Sequence, residues 1–435
     1  MTRIGYNVTR SARSGALQAQ MANAAYAVVL SATLFLGGCS TPSALSESGA
    51  SPNPQQAAGT SAGPPQSLDR AARDVADALL MRAGAAQPGR SRALVIDPFL
   101  DRATGTETAA TRTVVARIKE QVRSRYPSVE LRPYTLADIE DRPTVLLGSI
   151  TGVTGTGAAA PADGPPRAYQ IRAVLAEPRS GRVLDTETAL VRADDVSTTL
   201  APFFRDSPGW LPDPAAAAYF RTVEARAGGA MDPTYLAGLP VGGLVADGMV
   251  AYESGRYREA LDRYAAAQRL PAGEQMRVYN GLYLSTWALG QWREEEEAFG
   301  RVIDFGLRRE RLAVKFLFRP GSAGFWPDPT INAPYSMWLR QIALRADEHA
   351  ACLLLTGHAS STGVAAWNDR LSQVRAEYLR TRLVGQRPTL RERTQAKGVG
   401  AREPLVGTGA DNASDVLDRR VELDPRACHE LSRAG

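Results

Sequence analysis

The stretch Thr356–Ala376, TGHASSTGVAAWNDRLSQVRA, decides how the C-terminal part of this 435-residue chain is interpreted. Its first eight residues are mostly glycine, serine and threonine, which is typical of a turn. Beyond the turn, Trp367, Leu371, Val374 and Tyr378 recur at steps of four, three and four. This spacing predicts an amphipathic helix with one apolar face. We therefore interpret the stretch as a ligand-holding turn that runs into a helix.

The residues on either side of this stretch complete a small α/β pattern. An apolar run from Leu312 and the run ACLLLTGH before the turn both predict strands, and Pro334–Ala346 between them predicts a helix. After the second helix, TLRERTQAKGVGAREPLV predicts a strand or loop, and Leu417–Pro425 predicts a last strand. The order β-α-β-α-β-β favours a two-layer α/β domain over residues 310–427.

Four motifs of this region occur in a characteristic order: GHASSTG, WNDRLSQVRA, GVGAREP and DRRVEL. Together they resemble the OmpA-like peptidoglycan-binding domain. The resemblance implies that residues 310–427 bind the stem peptide of peptidoglycan without covalent chemistry. In that family a turn carboxylate and a helix arginine hold the zwitterionic end of diaminopimelate. An arginine makes charge-assisted, often bidentate contacts with a carboxylate.

The resemblance carries over to individual positions of this chain. The matching residues are Arg375 on the helix, Asn368 seven residues earlier, Thr362 and Gly363 at the end of the turn, and Arg419 at the final strand. Ser360 stands where the family has its binding aspartate, and its hydroxyl carries no charge. Neutral hydrogen bonds contribute about 1 kcal/mol and charged ones about 1.5–3 kcal/mol, so we expect weaker binding. Asp369, nearby in sequence, is a candidate to replace the missing charge.

Residues 1–38 have the pattern of a lipoprotein signal peptide. Three arginines precede an apolar run from Ala22 to Leu36, which is shorter than the roughly 20 residues that cross a bilayer. The following LGGC resembles a lipobox, which implies cleavage before Cys39 and a covalent lipid on that cysteine; no other cofactor is expected. In such lipoproteins a residue other than Asp after the cysteine, here Ser40, implies the outer membrane, with the chain on its periplasmic face.

Two segments follow the lipidated cysteine. Residues 39–66 are rich in Ser, Ala, Gly and Pro, which predicts a flexible tether. Residues 67–205 alternate helix and strand patterns and then form a hairpin pattern around EPRSG, which predicts an α/β or α+β domain. This pattern resembles the domain shared by curli-secretion lipoproteins, flagellar assembly lipoproteins and activators of bifunctional penicillin-binding proteins.

Residues 240–307 contain an internal repeat. Gly255 and Gly290 occupy matching places 35 residues apart, close to the 34-residue period of tetratricopeptide repeats. The pattern predicts helical hairpins in which small residues such as Ala260 let the helices approach and Trp292 fills a gap between them. Two interpretations stay open, a groove for a peptide or partner and a structural spacer. The complete chain is thus expected to be a multidomain α/β protein with a short all-α repeat.

Cys352 and Cys428 lie on the two sides of the predicted wall-binding motifs. The periplasm is oxidising, so these thiols can form a disulfide. The sequence leaves the alternative open that they are two independent buried thiols, because their separation in space is not fixed by spacing.

Charge and motifs argue against several functional classes. The net charge of +5 falls to +2 once residues 1–38, with three arginines and no acid, are removed, so nucleic-acid binding is not expected. The three histidines are His349, His358 and His429, and neither HExxH nor GxSxG occurs. We therefore expect no catalytic residue and no metal site.

Two functions fit these expectations. In the first, the chain tethers the outer membrane to the cell wall, with lipid at one end and the stem peptide of peptidoglycan at the other. In the alternative, residues 67–307 dock an envelope machine, such as a peptidoglycan synthase or a secretion or flagellar assembly, and the wall-binding domain positions it.

Overall fold

The computed structural model describes residues 63–84, 92–154, 166–319, 321–405 and 418–431. The predicted signal peptide 1–38, Cys39 and most of the tether 39–66 lie outside these residues. Two mixed sheets and a set of helical hairpins make up the described part, which confirms the α/β multidomain fold class.

The N-terminal sheet contains four parallel strands and a hairpin. Its strands are β1 (Arg92–Ile96), β2 (Leu100–Asp101), β3 (Val129–Leu131), β4 (Thr144–Val153), β5 (Ala168–Glu177) and β6 (Arg182–Arg192). The order is β3-β1-β4-β5-β6, with β2 also paired to β4. Strands β3, β1 and β4 run parallel, whereas β5 and β6 are antiparallel, which confirms the hairpin predicted around EPRSG. Gly181 ends its turn with a φ of +66°, a conformation that favours glycine.

Helices cover both faces of this sheet. They are α1 (Leu68–Arg82), α2 (Ala109–Arg125), α3 (Leu136–Glu140) and α5 (Pro214–Glu224), with a 3₁₀ turn at Ala193–Asp195. The short helix α4 (Pro202–Asp206) instead places Phe203 and Phe204 in the core of the repeat. Alternate residues of a strand point to opposite faces. Accordingly, Leu146 of β4 packs into the core that contains α1 and α2, whereas Val145 and Leu147 pack into the core that contains α5.

The repeat forms two helical hairpins. Its helices are α6 (Pro233–Glu253), α7 (Tyr257–Gln268), α8 (Met276–Ala288) and α9 (Trp292–Arg308). Gly255 and Gly290 have φ values of +75° and +68° in the two corresponding turns, so the 35-residue spacing reflects two turns that need a left-handed residue. The predicted helical hairpins are therefore confirmed.

A tyrosine, rather than Trp292, fills the space inside the first hairpin. The ring of Tyr264 is fully buried, and a Cβ added at Gly248 or at Gly281 would collide with it. Ala260 is fully buried, as expected for close helix packing. Trp292 is 66% exposed, so the prediction that it fills a gap is wrong. Gly248 and Gly281, on neighbouring helices, leave room for the ring of Tyr264. A search of the sequence for bulky residues does not reveal this space, because glycines create it.

Helix α6 connects the N-terminal sheet to the repeat. Its residues Tyr235 and Leu239 belong to the core beneath the N-terminal sheet, whereas Val241 and Leu244 belong to the core of the repeat. Among the described residues it is the helix long and apolar enough to cross a membrane, and 56% of the relevant window is buried inside the protein. The apolar character of α6 is thus explained by its contacts with two cores.

The C-terminal sheet has the order β10-β9-β11-β8-β7. Its strands are β7 (Gly209–Trp210), β8 (Leu312–Val314), β9 (Cys352–Gly357), β10 (Thr394–Gly398) and β11 (Val421–Arg426). Its helices are α10 (Pro329–Asn332), α11 (Tyr335–Glu348), α12 (Ala365–Gln386) and α13 (Cys428–Leu431), with a 3₁₀ turn at Pro388–Arg391. The predicted β-α-β-α-β-β order is confirmed. Strand β7, which precedes the repeat in sequence, extends the sheet by pairing with β8.

The repeat and the C-terminal sheet share one continuous core. Buried side chains of this core run from Leu200 through the repeat helices to Leu423 on β11. Cys352 and Cys428 form a disulfide that joins the start of β9 to the start of α13. The disulfide closes a 76-residue segment that contains the whole predicted turn and helix.

Candidate functional site

Three of the motifs recognised in the sequence meet at the turn after β9. The His358 amide donates a hydrogen bond to the Arg420 carbonyl at 2.9 Å, and the Ala359 amide donates to the Gly400 carbonyl at 2.8 Å. The guanidinium of Arg420 in turn donates to the carbonyl of Glu403 at 3.3 Å. Residues far apart in sequence are thereby brought to one place, and the turn is held from two sides.

Helix α12 packs closely on the strands at this place. A Cβ at Gly357, the last residue of β9, would collide with the backbone carbonyl of Ser372 on α12. A Cβ at Gly398, the last residue of β10, would collide with the backbone of Gln373. Glycine is therefore required at both strand ends for the helix to lie against the sheet.

The buried face of α12 differs from the predicted face. Trp367 and Val374 are 54% and 44% exposed, so the prediction that these residues form the buried apolar face is wrong. The buried residues of the helix are Asn368, Ser372, Arg375, Ala376, Leu379 and Leu383. The close approach at Gly357 and Gly398 favours a small residue such as Ser372 at the point of contact.

Asn368 binds the turn directly. Its side-chain amide donates to the carbonyl of Ser360 at 3.1 Å and to the carbonyl of Thr362 at 2.9 Å. The hydroxyls of Ser360 and Thr362 lie 3.3 Å apart, and Gly363 then adopts a φ of +90°. The structure thus brings four of the predicted site residues together, and Asn368 acts by positioning the turn.

Arg375 lies two helical turns further along α12 and is 5% exposed. Its Nε donates to the carbonyl of Ser322 at 3.1 Å, and its Nη2 donates to the carbonyl of Arg319 at 3.4 Å. The guanidinium also lies 5.0 Å from the centre of the Phe318 ring, a cation–π distance. The carbonyls of Arg319 and Ser322, from the segment after β8, therefore cover the predicted binding arginine. Sequence analysis missed this segment.

The final strand places the neighbour of Arg419 in the interior. Arg419 is half-buried and precedes β11, whereas Arg420 is 1% exposed. The Nε of Arg420 donates to Glu422 at 2.7 Å, and Arg311 binds the same carboxylate through Nε at 2.9 Å. Glu422 is thus held by two guanidinium groups beneath the turn. Alternation along a strand predicts that one of two adjacent arginines is buried, but it does not say which.

His358 is buried beside this ion-paired group. Its Nε2 lies 3.8 Å from Glu422, and it is 1% exposed. Burial, with added repulsion from Arg420 and Arg311, lowers the pKa of His358 to about 3, although Glu422 acts in the opposite direction. The imidazole is therefore neutral at neutral pH and contributes to the interior of the turn as an uncharged group.

Asp369 does not face the turn as a free charge. Its Oδ1 accepts a hydrogen bond from Nη1 of Arg402 at 2.6 Å. A Cβ at Gly400 would collide with the same carboxylate, which places Asp369 against the GVGAREP loop. This ion pair is largely exposed to solvent, so the prediction that Asp369 replaces the family's aspartate stays a prediction. Within the described part of the chain, no group of three or more His, Cys, Asp and Glu side chains could hold a metal ion.

No protein-family model matches the chain, and no curated protein matches it. Similar solved structures include the peptidoglycan-associated lipoprotein from Burkholderia pseudomallei, with 27% identity, 26% of this chain and 89% of that chain covered, and a TM-score of 0.23. The cell wall anchor of the T6SS from Pseudomonas aeruginosa shows 26% identity, 27% and 80% coverage, and a TM-score of 0.23. An outer membrane protein from Borrelia burgdorferi B31 shows 21% identity, 26% and 86% coverage, and a TM-score of 0.21.

These likenesses cover about a quarter of this chain, and their TM-scores are low. They therefore do not assign a function to the molecule as a whole. The tetratricopeptide-like repeat and the N-terminal domain have no counterpart in them that would identify either unit.

Proposed function

We propose that this chain is an outer-membrane lipoprotein that binds peptidoglycan non-covalently through residues 310–427. The observation that carries the proposal is the arrangement of α12: Asn368 fixes the turn after β9, and Arg375 follows on the buried face of the same helix. The motifs that resemble the OmpA-like domain supply the class of ligand. Two of the similar structures are a peptidoglycan-associated lipoprotein and a cell wall anchor.

Arg375 would bind the carboxylate of a stem peptide. Its guanidinium now donates to the carbonyls of Ser322 and Arg319. A carboxylate is a stronger acceptor than a peptide carbonyl, and its hydrogen bonds with a guanidinium are shorter and charge-assisted. A ligand carboxylate can therefore compete with these two carbonyls for the guanidinium donors. The hydroxyls of Ser360 and Thr362 would accept hydrogen bonds from the ligand's ammonium group.

The lipid would strengthen this binding by holding the domain near the wall. We infer that Cys39 carries the lipid and that residues 39–66 connect it to the folded part. A second attachment then becomes an intramolecular event, and its effective concentration depends on tether length. Weak recognition caused by Ser360 is compatible with a tethering role for this reason.

Sedimentation with isolated sacculi tests the proposal. Arg375→Ala should lower the affinity for sacculi by about tenfold to a hundredfold, because a charged hydrogen-bonding group is lost. Arg370→Ala is the matched control, since Arg370 is an exposed arginine on the same helix. A diaminopimelate-containing stem peptide should release the bound wild-type protein.

Two results would contradict the proposal. One is equal sedimentation of wild type and Arg375→Ala, with both proteins folded by circular dichroism, which would remove Arg375 from the binding site. The other is a wild-type chain that stays in the supernatant at every sacculus concentration, which would remove peptidoglycan as the ligand.

Docking of an envelope machine through residues 67–307 stays the alternative prediction. The continuous core between the repeat and the C-terminal sheet would hold any protein bound to the repeat in a fixed position relative to the wall-binding domain. Recovery of one stoichiometric partner by residues 67–307 would favour it over simple tethering.

A further inference from the structure

A cavity of about 330 Å³ lies where the N-terminal sheet, α5, α6 and α8 meet. Its size is at the lower end of the range for small-molecule sites, about 300–1,000 Å³. Asp97, which lines the cavity, directly follows β1, and β1 runs parallel to both of its neighbours. Crevices at the carboxyl ends of parallel strands are where open α/β sheets commonly bind ligands. None of the residues that line the cavity belongs to the turn at Ser360.

Asp97 is the buried acidic group of this cavity. It is 5% exposed, and its Oδ2 accepts hydrogen bonds from Tyr235 at 2.6 Å and from Tyr134 at 3.1 Å. Its Oδ1 receives no hydrogen bond from any residue that the structure describes. Burial raises the pKa of Asp97 to about 6, while Tyr235, Arg277 and Tyr134 act in the opposite direction. One carboxylate oxygen is thus fixed by the protein, and the other is available to a donor in the cavity.

The protein provides room for this arrangement at Gly242. A Cβ at Gly242 on α6 would collide with the hydroxyl of Tyr134. The small residue therefore lets the tyrosine after β3 reach Asp97. Tyr219 of α5 also lines the cavity, where its hydroxyl donates to the carbonyl of Pro98 at 2.9 Å. Side chains from several elements converge around a single carboxylate.

Positive charge lines another part of the same cavity. Arg277 is half-buried, and its Nη2 donates to Gln275 at 2.8 Å. No carboxylate within the described ranges forms an ion pair with it. Lys315 also lines the cavity, and its ammonium donates to the carbonyls of Phe204 at 2.6 Å and Arg205 at 3.2 Å. Burial lowers the pKa of Lys315 to about 7, although Asp206 acts in the opposite direction, so Arg277 is the more fully charged of these two groups at neutral pH.

Asp213 also lines the cavity, and its carboxylate has a structural role that the carboxylate of Asp97 does not have. Asp213 uses Oδ1 to accept from the Ala215 amide at 2.8 Å and Oδ2 to accept from the Met276 amide at 2.6 Å. Both of its oxygens are therefore occupied in joining the starts of α5 and α8. Asp97 and Arg277 differ from it because each keeps hydrogen-bonding capacity that no described side chain uses.

The remaining lining is largely apolar and includes Leu200, Phe204, Trp210, Leu211 and Met276. We infer that this cavity binds a small zwitterion, an amino acid or the end of a short peptide. The ligand carboxylate would lie at Arg277, its ammonium group would donate to Oδ1 of Asp97, and its apolar part would contact the ring of Phe204. This site is independent of the proposed peptidoglycan site.

Thermal-shift measurements on the full chain test the inference, with the common L-amino acids and the alanyl dipeptides as probes. At least one probe should raise the Tm, and calorimetry then measures its affinity. The Arg277→Gln and Asp97→Asn variants should each weaken that probe by about tenfold or more, because each loses a charged hydrogen bond. Arg293→Gln is the matched control, since Arg293 is exposed on α9 outside the cavity.

Chemically modified probes provide the same test without a mutation. The amide and the N-acetyl form of the best probe should each bind wild-type protein at least about tenfold more weakly, because each removes one of the two charges. If no probe raises the Tm, or if the best probe binds equally well to Arg277→Gln or in its amide form, the inference is wrong. Sacculus sedimentation of Arg277→Gln should equal that of wild type, so failure here is separable from failure of the peptidoglycan proposal.

Discussion

The cavity around Asp97 and the turn around His358 bury ionisable groups in two different ways. Asp97 contacts tyrosine hydroxyls and borders open space, whereas His358 contacts charged side chains in a closely packed interior. Burial disfavours the charged form in both places. The pKa of Asp97 therefore rises to about 6, and the pKa of His358 falls to about 3.

The two groups also differ in the roles we assign to them. Asp97 belongs to the proposed binding cavity, whereas His358 is part of the packed interior of the turn. In the turn, the charges of Glu422 are met by Arg420 and Arg311 of the same chain. In the cavity, Arg277 lowers the pKa of Asp97, but among the described residues no ion pair joins Arg277 to a carboxylate and no hydrogen bond reaches Oδ1 of Asp97. A pKa shift alone does not distinguish the two situations, because it reports burial in both. The hydrogen bonds and the adjacent space distinguish them.

The largest expected effect concerns His358. Its folded pKa of about 3 lies below the ordinary value of 6.5. The contribution of the neutral imidazole to the free energy of unfolding is therefore complete above about pH 6.5 and is lost as the pH falls toward 3. Wild type should therefore lose about 2 kcal/mol relative to His358→Gln between pH 7 and pH 5. Urea unfolding at both pH values measures the difference.

The pH range above 7 is the internal control for this comparison. Between pH 7 and pH 8 the stability difference between wild type and His358→Gln should stay constant. A difference that also stays constant down to pH 5 would show that His358 is not buried in its neutral form.

A second prediction sharpens the description of the turn as a binding surface. Ser360→Asp restores a charge at the position where the family has its aspartate, so sacculus affinity should rise by about tenfold. Sedimentation against wild type measures the gain. Ser361→Asp, at an exposed neighbouring position, is the matched control for added negative charge. An equal gain in both variants would indicate attraction by net charge instead of recognition at Ser360.

The smallest effect concerns Asp97 and has the opposite sign to that of His358. Its folded pKa of about 6 lies above the usual 3.8. The contribution of the protonated carboxyl to the free energy of unfolding is therefore complete below about pH 4 and is lost as the pH rises through 6. Wild type should therefore gain roughly 1 kcal/mol relative to Asp97→Asn between pH 7 and pH 5. Unfolding experiments under the conditions used for His358 measure this gain, and a loss in that range would contradict the burial of Asp97.

Local patterns predicted the elements of this fold well. The hairpin around EPRSG, the helical hairpins with Gly255 and Gly290, and the strand and helix order of residues 310–427 are confirmed. Each depends on turn chemistry or on residue spacing within a short segment. The sequence left open whether Cys352 and Cys428 pair, and the structure joins them.

Contacts between distant segments were not predictable in this way. Trp367 is exposed and Arg375 is buried, so the buried face of α12 is not the one expected. Glycines at the ends of two separate strands let this other side of the helix lie close to the sheet. The two-residue strand β7 carries no pattern of its own and exists only by pairing with β8. The carbonyls of Arg319 and Ser322 cover Arg375, a contact that neither stretch of sequence shows by itself.

The sequence by itself determined where this chain turns, which segments are helices or strands, and which motifs resemble those of a wall-binding turn. These features follow from backbone preferences and spacing over a few residues. Only the tertiary structure decided that Arg420 is buried, that Arg375 is covered by carbonyl groups, and that Asp97 and Arg277 share a cavity. Burial and charge pairing depend on groups that are distant in sequence, and these groups meet only when the chain has folded.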